Sequence, residues 1–134
     1  MPTWVLSNVL ARGRRPGYPS ERGRQVPVAE VDAWIAKVHD FGIKSIICLL
    51  SDDQLPLYDQ IPGGLIAFYR AKGFTVEHVP AKDHQNPPLT ENHLQKIWVA
   101  YEGLPKPVLI HCSAGRDRTG MAINHLQRKI AETT

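Results

Sequence analysis

The fold of this chain is decided by the stretch Pro107-Val108-Leu109-Ile110-His111-Cys112-Ser113-Ala114-Gly115-Arg116-Asp117-Arg118-Thr119-Gly120. Its first four residues are a short apolar run, which predicts a buried strand. Residues 121–130 follow with a composition typical of a helix. The stretch therefore predicts a strand, a glycine-containing loop and a helix in immediate succession, with Cys112 at the end of the strand.

The predicted loop has the chemistry of an anion-binding site. A loop that enters a helix N-terminus presents unpaired backbone N–H groups and the positive end of the helix dipole. The amides of residues 113–118 can form a nest for a tetrahedral oxyanion, and Gly115 permits the positive φ that such a nest needs. Arg118 offers a planar fork that matches two phosphate oxygens. The same field favours the thiolate of Cys112, which predicts nucleophilic attack on phosphorus.

The stretch resembles the signature loop of the small cysteine-based protein tyrosine and dual-specificity phosphatases, which reads His-Cys, five residues, Arg, then Ser or Thr. Here the pattern is His111-Cys112, five residues, then Arg118-Thr119. The resemblance implies a phosphate monoester hydrolase that works through a phosphocysteine intermediate, without a metal or cofactor. It assigns Cys112 and Arg118 to catalysis. The substrate-binding residues that it implies are Ser113, Ala114, Gly115, Arg116, Asp117 and Thr119.

Two further roles in the loop follow from the same resemblance. Thr119 is expected to donate a hydrogen bond to the cysteine sulfur, which eases departure of the thiolate when water attacks. His111 is expected to turn its ring away from the substrate and to order the loop through backbone hydrogen bonds.

A general acid is needed to protonate the leaving oxygen, and Asp83 is the leading candidate. It lies between a predicted strand and a loop that contains Pro87 and Pro88, and the family places its general-acid aspartate on such a loop before the cysteine. Asp117, inside the signature loop, is an alternative acid or a partner for an arginine. The acids of Asp52-Asp53 are a weaker alternative and otherwise serve as helix caps.

The order of elements predicts the fold class. Strands are predicted at residues 4–6, 9–11, 43–50, 74–79 and 107–110, and helices at 28–41, within 55–72 around Gly63-Gly64, at 92–101 after the cap Thr90, and at 121–130. Strands that alternate with helices favour an α/β domain with a central, mostly parallel sheet of four or five strands flanked by helices. This architecture is like that of dual-specificity phosphatases. Ligands of such sheets bind at the carboxyl ends of the strands, where Cys112, Asp83 and Asp52 all fall.

Length and composition favour a single domain over residues 1–134. No window of eighteen residues is apolar throughout, and we expect neither a membrane span nor a signal peptide. Two cysteines do not make a disulfide framework, which favours the cytoplasm. Cys48 is either a buried core residue or a partner for a reversible disulfide with Cys112.

The net charge of +3 is unevenly distributed. Between residues 12 and 24 the only acid is Glu21, and the arginines are Arg12, Arg14, Arg15, Arg22 and Arg24. Such a basic loop suits an anionic substrate, or is simply solvated. Tyr18 in this loop either packs on a substrate ring or packs against its neighbouring prolines.

The sequence thus predicts a protein tyrosine or dual-specificity phosphatase with a shallow site, because we find no long recognition loop. The substrate is a phosphorylated protein or another phosphomonoester. The alternatives are a polyanionic substrate (a phosphoinositide, an inositol phosphate or an RNA 5′-phosphate) and a non-catalytic pseudophosphatase. Sulfur transfer fits Arg118-Thr119 less well. Nucleic acid is not otherwise favoured, because stacking aromatics are missing from the basic loop. Relatives usually continue with further helices after the signature helix, so we expect either a thinly covered sheet face in a monomer or a homodimer.

Overall fold

The computed structural model describes residues 2–19 and 24–133 of the chain. Five strands and four helices alternate along most of it, as the sequence predicts. The strands are β1 (Thr3–Leu6), β2 (Leu10–Gly13), β3 (Ser45–Cys48), β4 (Thr75–His78) and β5 (Val108–His111). The helices are α1 (Val28–Asp40), α2 (Leu65–Ala71), α3 (Glu91–Gly103) and α4 (Asp117–Thr133), with a short 3₁₀ turn at Leu55–Tyr58.

The five strands form one sheet in the order β1-β2-β5-β3-β4. The β1–β2 pair is antiparallel, and the other three pairs are parallel. Strand β5, which leads into the signature loop, lies at the centre of the sheet between β2 and β3. The predicted α/β class with a mostly parallel sheet is confirmed, and the topology delivers the carboxyl ends of β2, β3, β4 and β5 to one edge.

The central strands β3 and β5 are buried on both faces of the sheet, because their side chains point alternately to two faces that both carry helices, whereas the edge strands β1 and β4 are partly exposed. In β3, Ile46 and Cys48 pack with α1 and α2, and Ile47 packs on the other side with α3 and α4. In β5, Leu109 faces the first group of helices and Ile110 the second. The expectation of a thinly covered sheet face is therefore wrong for the central strands, which α3 and α4 cover with apolar residues, whereas the edge strand β4 stays partly exposed at Glu77 and His78.

The structure shifts most of the predicted boundaries, and the changes in β2, β3 and α4 concern the candidate site. Strand β3 is shorter than the predicted 43–50. Strand β2 extends to Gly13, so Arg12 lies on a strand rather than in the basic loop. Helix α4 begins at Asp117, inside the signature stretch, because the turn closes with the amide of Gly120 on the carbonyl of Arg116. Among the described helices, none combines the length and apolar character needed to cross a bilayer.

Candidate active site

The signature loop and the end of β4 meet in one pocket of about 320 Å³. The residues that line it are Tyr18, Asp83, His84, Cys112, Ser113, Ala114, Arg116, Asp117 and Arg118. Cys112 is only 3% exposed and follows the last residue of β5. The pocket thus contains most of the residues that the sequence singles out, and it lies at the carboxyl ends of the parallel strands, where ligands of such sheets bind.

The curl of the loop depends on Gly115, which has φ +76°. A Cβ at this position would lie 2.4 Å from the carbonyl oxygen of Gly13 at the end of β2, which is a steric clash with the backbone. Arg12 strengthens the same contact, because its Nη2 donates to the carbonyl of Gly115 at 3.0 Å. Gly115 therefore lies at the back of the loop against β2 and does not line the pocket.

Arg15 supports the loop from a second direction, although its sequence context predicts no more than a place in a basic loop. Its backbone amide donates to the carbonyl of Ser113 at 2.9 Å, and its Nε donates to the hydroxyl of Ser113 at 3.2 Å. Its Nη1 also donates to the hydroxyl of Tyr58 at 3.3 Å. The Arg15 side chain is buried, so it acts as an internal brace of the loop rather than as a solvated surface charge.

Arg118 is almost completely buried and is anchored through one nitrogen. Its Nη1 donates to the carbonyls of Ala81 at 2.7 Å and Leu49 at 3.3 Å, and to Oε1 of Gln54 at 2.9 Å. Leu49 and Ala81 follow β3 and β4, so two strand ends fix the guanidinium by their main chains. Gln54 is a residue that the sequence analysis missed, and no motif marks it.

The other side of the Arg118 guanidinium is chemically suited to a phosphate. Among the described residues, neither Nε nor Nη2 has a hydrogen-bond partner, although both are buried. Nε and Nη2 form the edge of the fork that matches two oxygens of a phosphate. A buried donor that stays unpaired is costly, so this edge favours an anionic ligand with two acceptors.

Asp83 lies beside this edge. Its Oδ2 is 3.2 Å from Nη2 of Arg118, a close ion pair whose N–H is not aligned as a hydrogen bond. Its Oδ1 accepts from the backbone amide of His84 at 3.0 Å, and the His84 ring lies 3.7 Å from Oδ2. The side chain is 30% exposed, so one carboxylate touches both the buried cation and solvent. This placement suits a group that exchanges protons.

The other candidate acids differ in position. Asp117 lines the pocket at the first turn of α4, together with Arg116, and both are exposed. Asp52 and Asp53 do not line it. The Asp53 carboxylate accepts from the hydroxyl of Ser51, and the 3₁₀ turn that follows has Gln54 as its N-cap without a side-chain hydrogen bond. The expectation that these two aspartates cap a helix is therefore wrong.

His111 orders the loop from the core, as expected. Its Nδ1 donates to the carbonyl of Cys112 at 2.9 Å, and its Nε2 accepts from the hydroxyl of Tyr69 at 3.0 Å. Burial lowers the pKa of His111 to about 4, so the ring is neutral at pH 7. Thr119 differs from expectation: its hydroxyl is buried but has no hydrogen-bond partner among the described residues, and so no bond to the cysteine sulfur.

Burial of neutral His111 predicts a pH-dependent stability. The unfolded chain takes up the proton near the ordinary value of 6.5, and the folded chain only near 4, so stability falls as the pH falls through this window. We expect the free energy of unfolding to decrease by about 2 kcal/mol between pH 7 and pH 5 from this group alone. Urea denaturation at both pH values measures it.

The control for this prediction is a comparison of variants, because carboxylates also titrate at low pH. His111→Gln should show a smaller loss of stability between pH 7 and pH 5 than the parent. His84→Gln, which removes an exposed histidine, should show the same loss as the parent. Equal losses in all three proteins would contradict the assignment.

The other residues of the basic loop have different surroundings. Tyr18 lines the catalytic pocket, and the guanidinium carbons of Arg14 and Arg15 lie 5.9 and 5.8 Å from its ring centroid. Arg24 pairs with Glu30 at 3.4 Å. Arg22, which the sequence analysis counted with the loop, lies outside the described residues.

Cys48 is completely buried in the core cluster of α1 and α2, on the opposite sheet face from the cluster that holds Cys112. Burial raises the pKa of its thiol to about 12. Because the thiolate is the form that oxidises, this environment favours the role of a core residue over that of a disulfide partner.

The sheet order, the glycine-curled loop around Cys112 and the anchored arginine define the class of cysteine-dependent phosphatases of the dual-specificity type. The sequence profile of a family described as Tc-R-P, a polymorphic toxin system DSP-PTPase phosphatase, matches residues 23–129, and the chain belongs to this family. It is therefore a phosphoric monoester hydrolase, and the alternative of a non-catalytic module is not supported. Comparison with curated proteins gave no significant match.

Solved structures share the fold. A mutant form of Tk-PTP, with alanine in place of one glycine, is 24% identical at a TM-score of 0.63, over 97% of this chain and 73% of that one. The active form of Tk-PTP is 22% identical at a TM-score of 0.58, over 96% and 83%. The catalytic core of the PP-IP phosphatase SIW14 from S. cerevisiae, in complex with citrate, is 21% identical at a TM-score of 0.56, over 89% of this chain and 60% of that one.

Proposed function

We propose that residues 1–134 act as one phosphatase domain that hydrolyses phosphotyrosine, and to a lesser extent phosphoserine and phosphothreonine, in proteins. The observation that carries this proposal is the meeting of Cys112, Arg118 and Asp83 in one pocket. Cleavage of a phosphate monoester needs a nucleophile, a cation that stabilises the phosphate oxygens and a group that exchanges protons. Cys112, Arg118 with its two donors that lack a hydrogen bond among the described residues, and the partly exposed Asp83 supply these three groups.

In the first step the thiolate of Cys112 attacks phosphorus, and a sulfur–phosphorus bond forms as the bond to the leaving oxygen breaks. Arg118 and the loop amides stabilise the charge on the other oxygens. Asp83 gives its proton to the leaving oxygen. In the second step Asp83 takes a proton from water, the water oxygen attacks phosphorus, and Cys112 leaves as a thiolate with release of inorganic phosphate. Ser113, Ala114, Arg116 and Asp117 are proposed to bind the phosphate. Gly115 and Thr119, which do not line the pocket, are proposed to shape the loop around it.

A polyanionic small molecule is the second candidate substrate. Two observations favour it: the fold is shared with SIW14, a PP-IP phosphatase, and basic residues surround Tyr18 at the pocket rim. We also propose a cytoplasmic location, because both cysteines are free thiols. We propose a monomer or a homodimer as the oligomeric state.

A substrate panel tests this proposal. It compares phosphotyrosine, phosphoserine and phosphothreonine peptides with a phosphoinositide, an inositol phosphate and a 5′-phosphorylated RNA, each at equal concentration with the parent and Cys112→Ser. We expect kcat/KM on phosphotyrosine peptides to exceed kcat/KM on every other substrate of the panel by about tenfold or more. This ratio corresponds to about 1.4 kcal/mol in transition-state stabilisation. A higher kcat/KM on a non-protein substrate would replace the proposal by its alternative.

A further inference from the structure

A second pocket of about 340 Å³ lies beside the catalytic one. Its lining includes four cations and one acid, which are Arg14, Arg15, Arg24, Lys37 and Glu30. Tyr18 lines both pockets, so the two cavities are separated by little more than one aromatic side chain. The excess of positive charge makes this second pocket a place where an anion gains electrostatic stabilisation.

The second pocket is built by the fold rather than by a chance meeting of surface side chains. Trp34 of α1 donates from Nε1 to the carbonyl of Arg14 at 2.8 Å, which fixes the main chain of the loop over the helix. Gly17 has φ +81°, and a Cβ there would lie 2.7 Å from Val26 and 3.0 Å from Glu30. The loop can therefore pass closely over α1 only with glycine at this position, and this passage places Tyr18 at the boundary.

The second pocket is also coupled to the loop that holds Cys112. Arg15 lines it and at the same time donates from its backbone and its Nε to Ser113. A ligand that enters this pocket thus contacts the residue that braces the phosphate loop. Any anion bound there is adjacent to the scissile phosphate.

The rest of the lining indicates which kind of anion fits. Pro19, Ala33 and Trp34 contribute apolar surface between the cations. A bare phosphate makes no use of such surface, whereas an acidic or phosphorylated amino acid presents an aliphatic stem with an anionic end. The mixed lining therefore favours a side chain of a peptide substrate.

We propose that this pocket is a specificity subsite for a second anionic side chain, a phosphoserine, glutamate or aspartate, next to the phosphorylated residue of the substrate. The proposal rests on the proposed function, because it assumes a peptide in the catalytic pocket. Tyr18 separates the two anions. Arg14 and Lys37 receive the second one, whereas Arg24 is paired with Glu30 at 3.4 Å.

Binding to the inactive Cys112→Ser variant tests the subsite independently of turnover. Isothermal titration compares three peptides that carry phosphotyrosine beside alanine, glutamate or phosphoserine. We expect the phosphoserine peptide to bind about tenfold more tightly than the alanine peptide, because hydrogen bonds to charged groups are the stronger ones, with the glutamate peptide between them. Equal Kd values for the three peptides would overturn the proposal.

Two charge variants in the same background supply the matched control. Arg14→Ala should abolish most of the preference for the phosphoserine peptide and leave the Kd of the alanine peptide nearly unchanged. Arg128→Ala removes one positive charge from α4, away from both pockets, and should leave the preference intact. Equal effects of the two variants would show only a general charge effect and would overturn the subsite.

The same experiments separate this inference from the proposed function. If the parent hydrolyses p-nitrophenyl phosphate but all three peptides bind the Cys112→Ser variant equally, the subsite is wrong and the phosphatase activity stands. If the phosphoserine peptide binds more tightly but the parent hydrolyses no peptide, the pocket binds anions, and both the protein substrate and the role of the pocket in substrate specificity are wrong.

Discussion

Replacement of Cys112 by serine is expected to lower kcat on p-nitrophenyl phosphate by at least about 10⁴-fold, because loss of an enzyme nucleophile commonly removes that much of the rate. A serine hydroxyl stays protonated at neutral pH and is a far weaker nucleophile than a thiolate, although the pocket offers it the same arginine and loop amides. Binding of phosphate should survive, because Arg118 is held by the ends of β3 and β4 rather than by Cys112. Release of inorganic phosphate from p-nitrophenyl phosphate measures the first effect, and titration with inorganic phosphate or a phosphopeptide measures the second.

The matched control is Cys48→Ala, which removes the other thiol of the chain. Cys48 packs in the core on the opposite sheet face, so this variant should keep kcat within about threefold at a modest cost in stability, as is usual for small changes in a core. Circular dichroism of both variants checks that they are folded. Equal rates of the parent and Cys112→Ser would refute the phosphocysteine mechanism.

Replacement of Asp83 by asparagine is expected to lower kcat by about 10²–10⁴-fold on substrates with a poor leaving group, which is the usual contribution of a general acid. The loss should be much smaller on p-nitrophenyl phosphate, whose leaving group needs little protonation. Asparagine fits the space beside Arg118 but has no acidic proton that could protonate the leaving oxygen. Steady-state values of kcat for the parent and Asp83→Asn, measured on phenyl phosphate and on p-nitrophenyl phosphate, give the loss of rate on each substrate.

Asp117→Asn is the natural comparison, because Asp117 lines the same pocket from the first turn of α4. We expect a smaller loss that does not depend on the leaving group. If instead Asp117→Asn shows the large, leaving-group-dependent loss and Asp83→Asn does not, the general acid is Asp117. The Asp83 ion pair with Arg118 then has a positioning role, visible as a raised KM.

The order of helices and strands could be predicted because each element carries its own pattern. The run of apolar residues in β5, the periodic apolar face of α1 and the glycines that end helices are all local signals. The nucleophile and the phosphate-binding arginine could also be predicted from a local signal, since Cys112 and Arg118 lie in one short signature stretch. Asp83 could be suggested because the carboxyl ends of parallel strands converge.

The residues that hold this loop could not be predicted in the same way. Arg12 and Arg15 are separated from their partners Gly115 and Ser113 by about a hundred positions in the sequence. Their neighbours are rich in glycine, proline and arginine, which is typical of a solvated loop and gives no sign of a strand end. Gln54 bears no motif at all, and its bond to Arg118 exists only because the chain after β3 turns back towards β4.

The contact of β2 with the phosphate loop has a consequence for the time course of folding. The hydrogen bond from Arg12 to Gly115 spans 103 positions, and the close approach of Gly13 to Gly115 spans nearly as many. Contacts between segments so far apart in the chain form slowly, because a long loop must first close. We therefore expect the phosphate cradle to be one of the last parts of the molecule to assemble. A folding intermediate in which the β1–β2 hairpin has not yet paired with β5 can contain all four helices and still be inactive. We therefore expect catalytic activity to appear later in refolding than helical structure does.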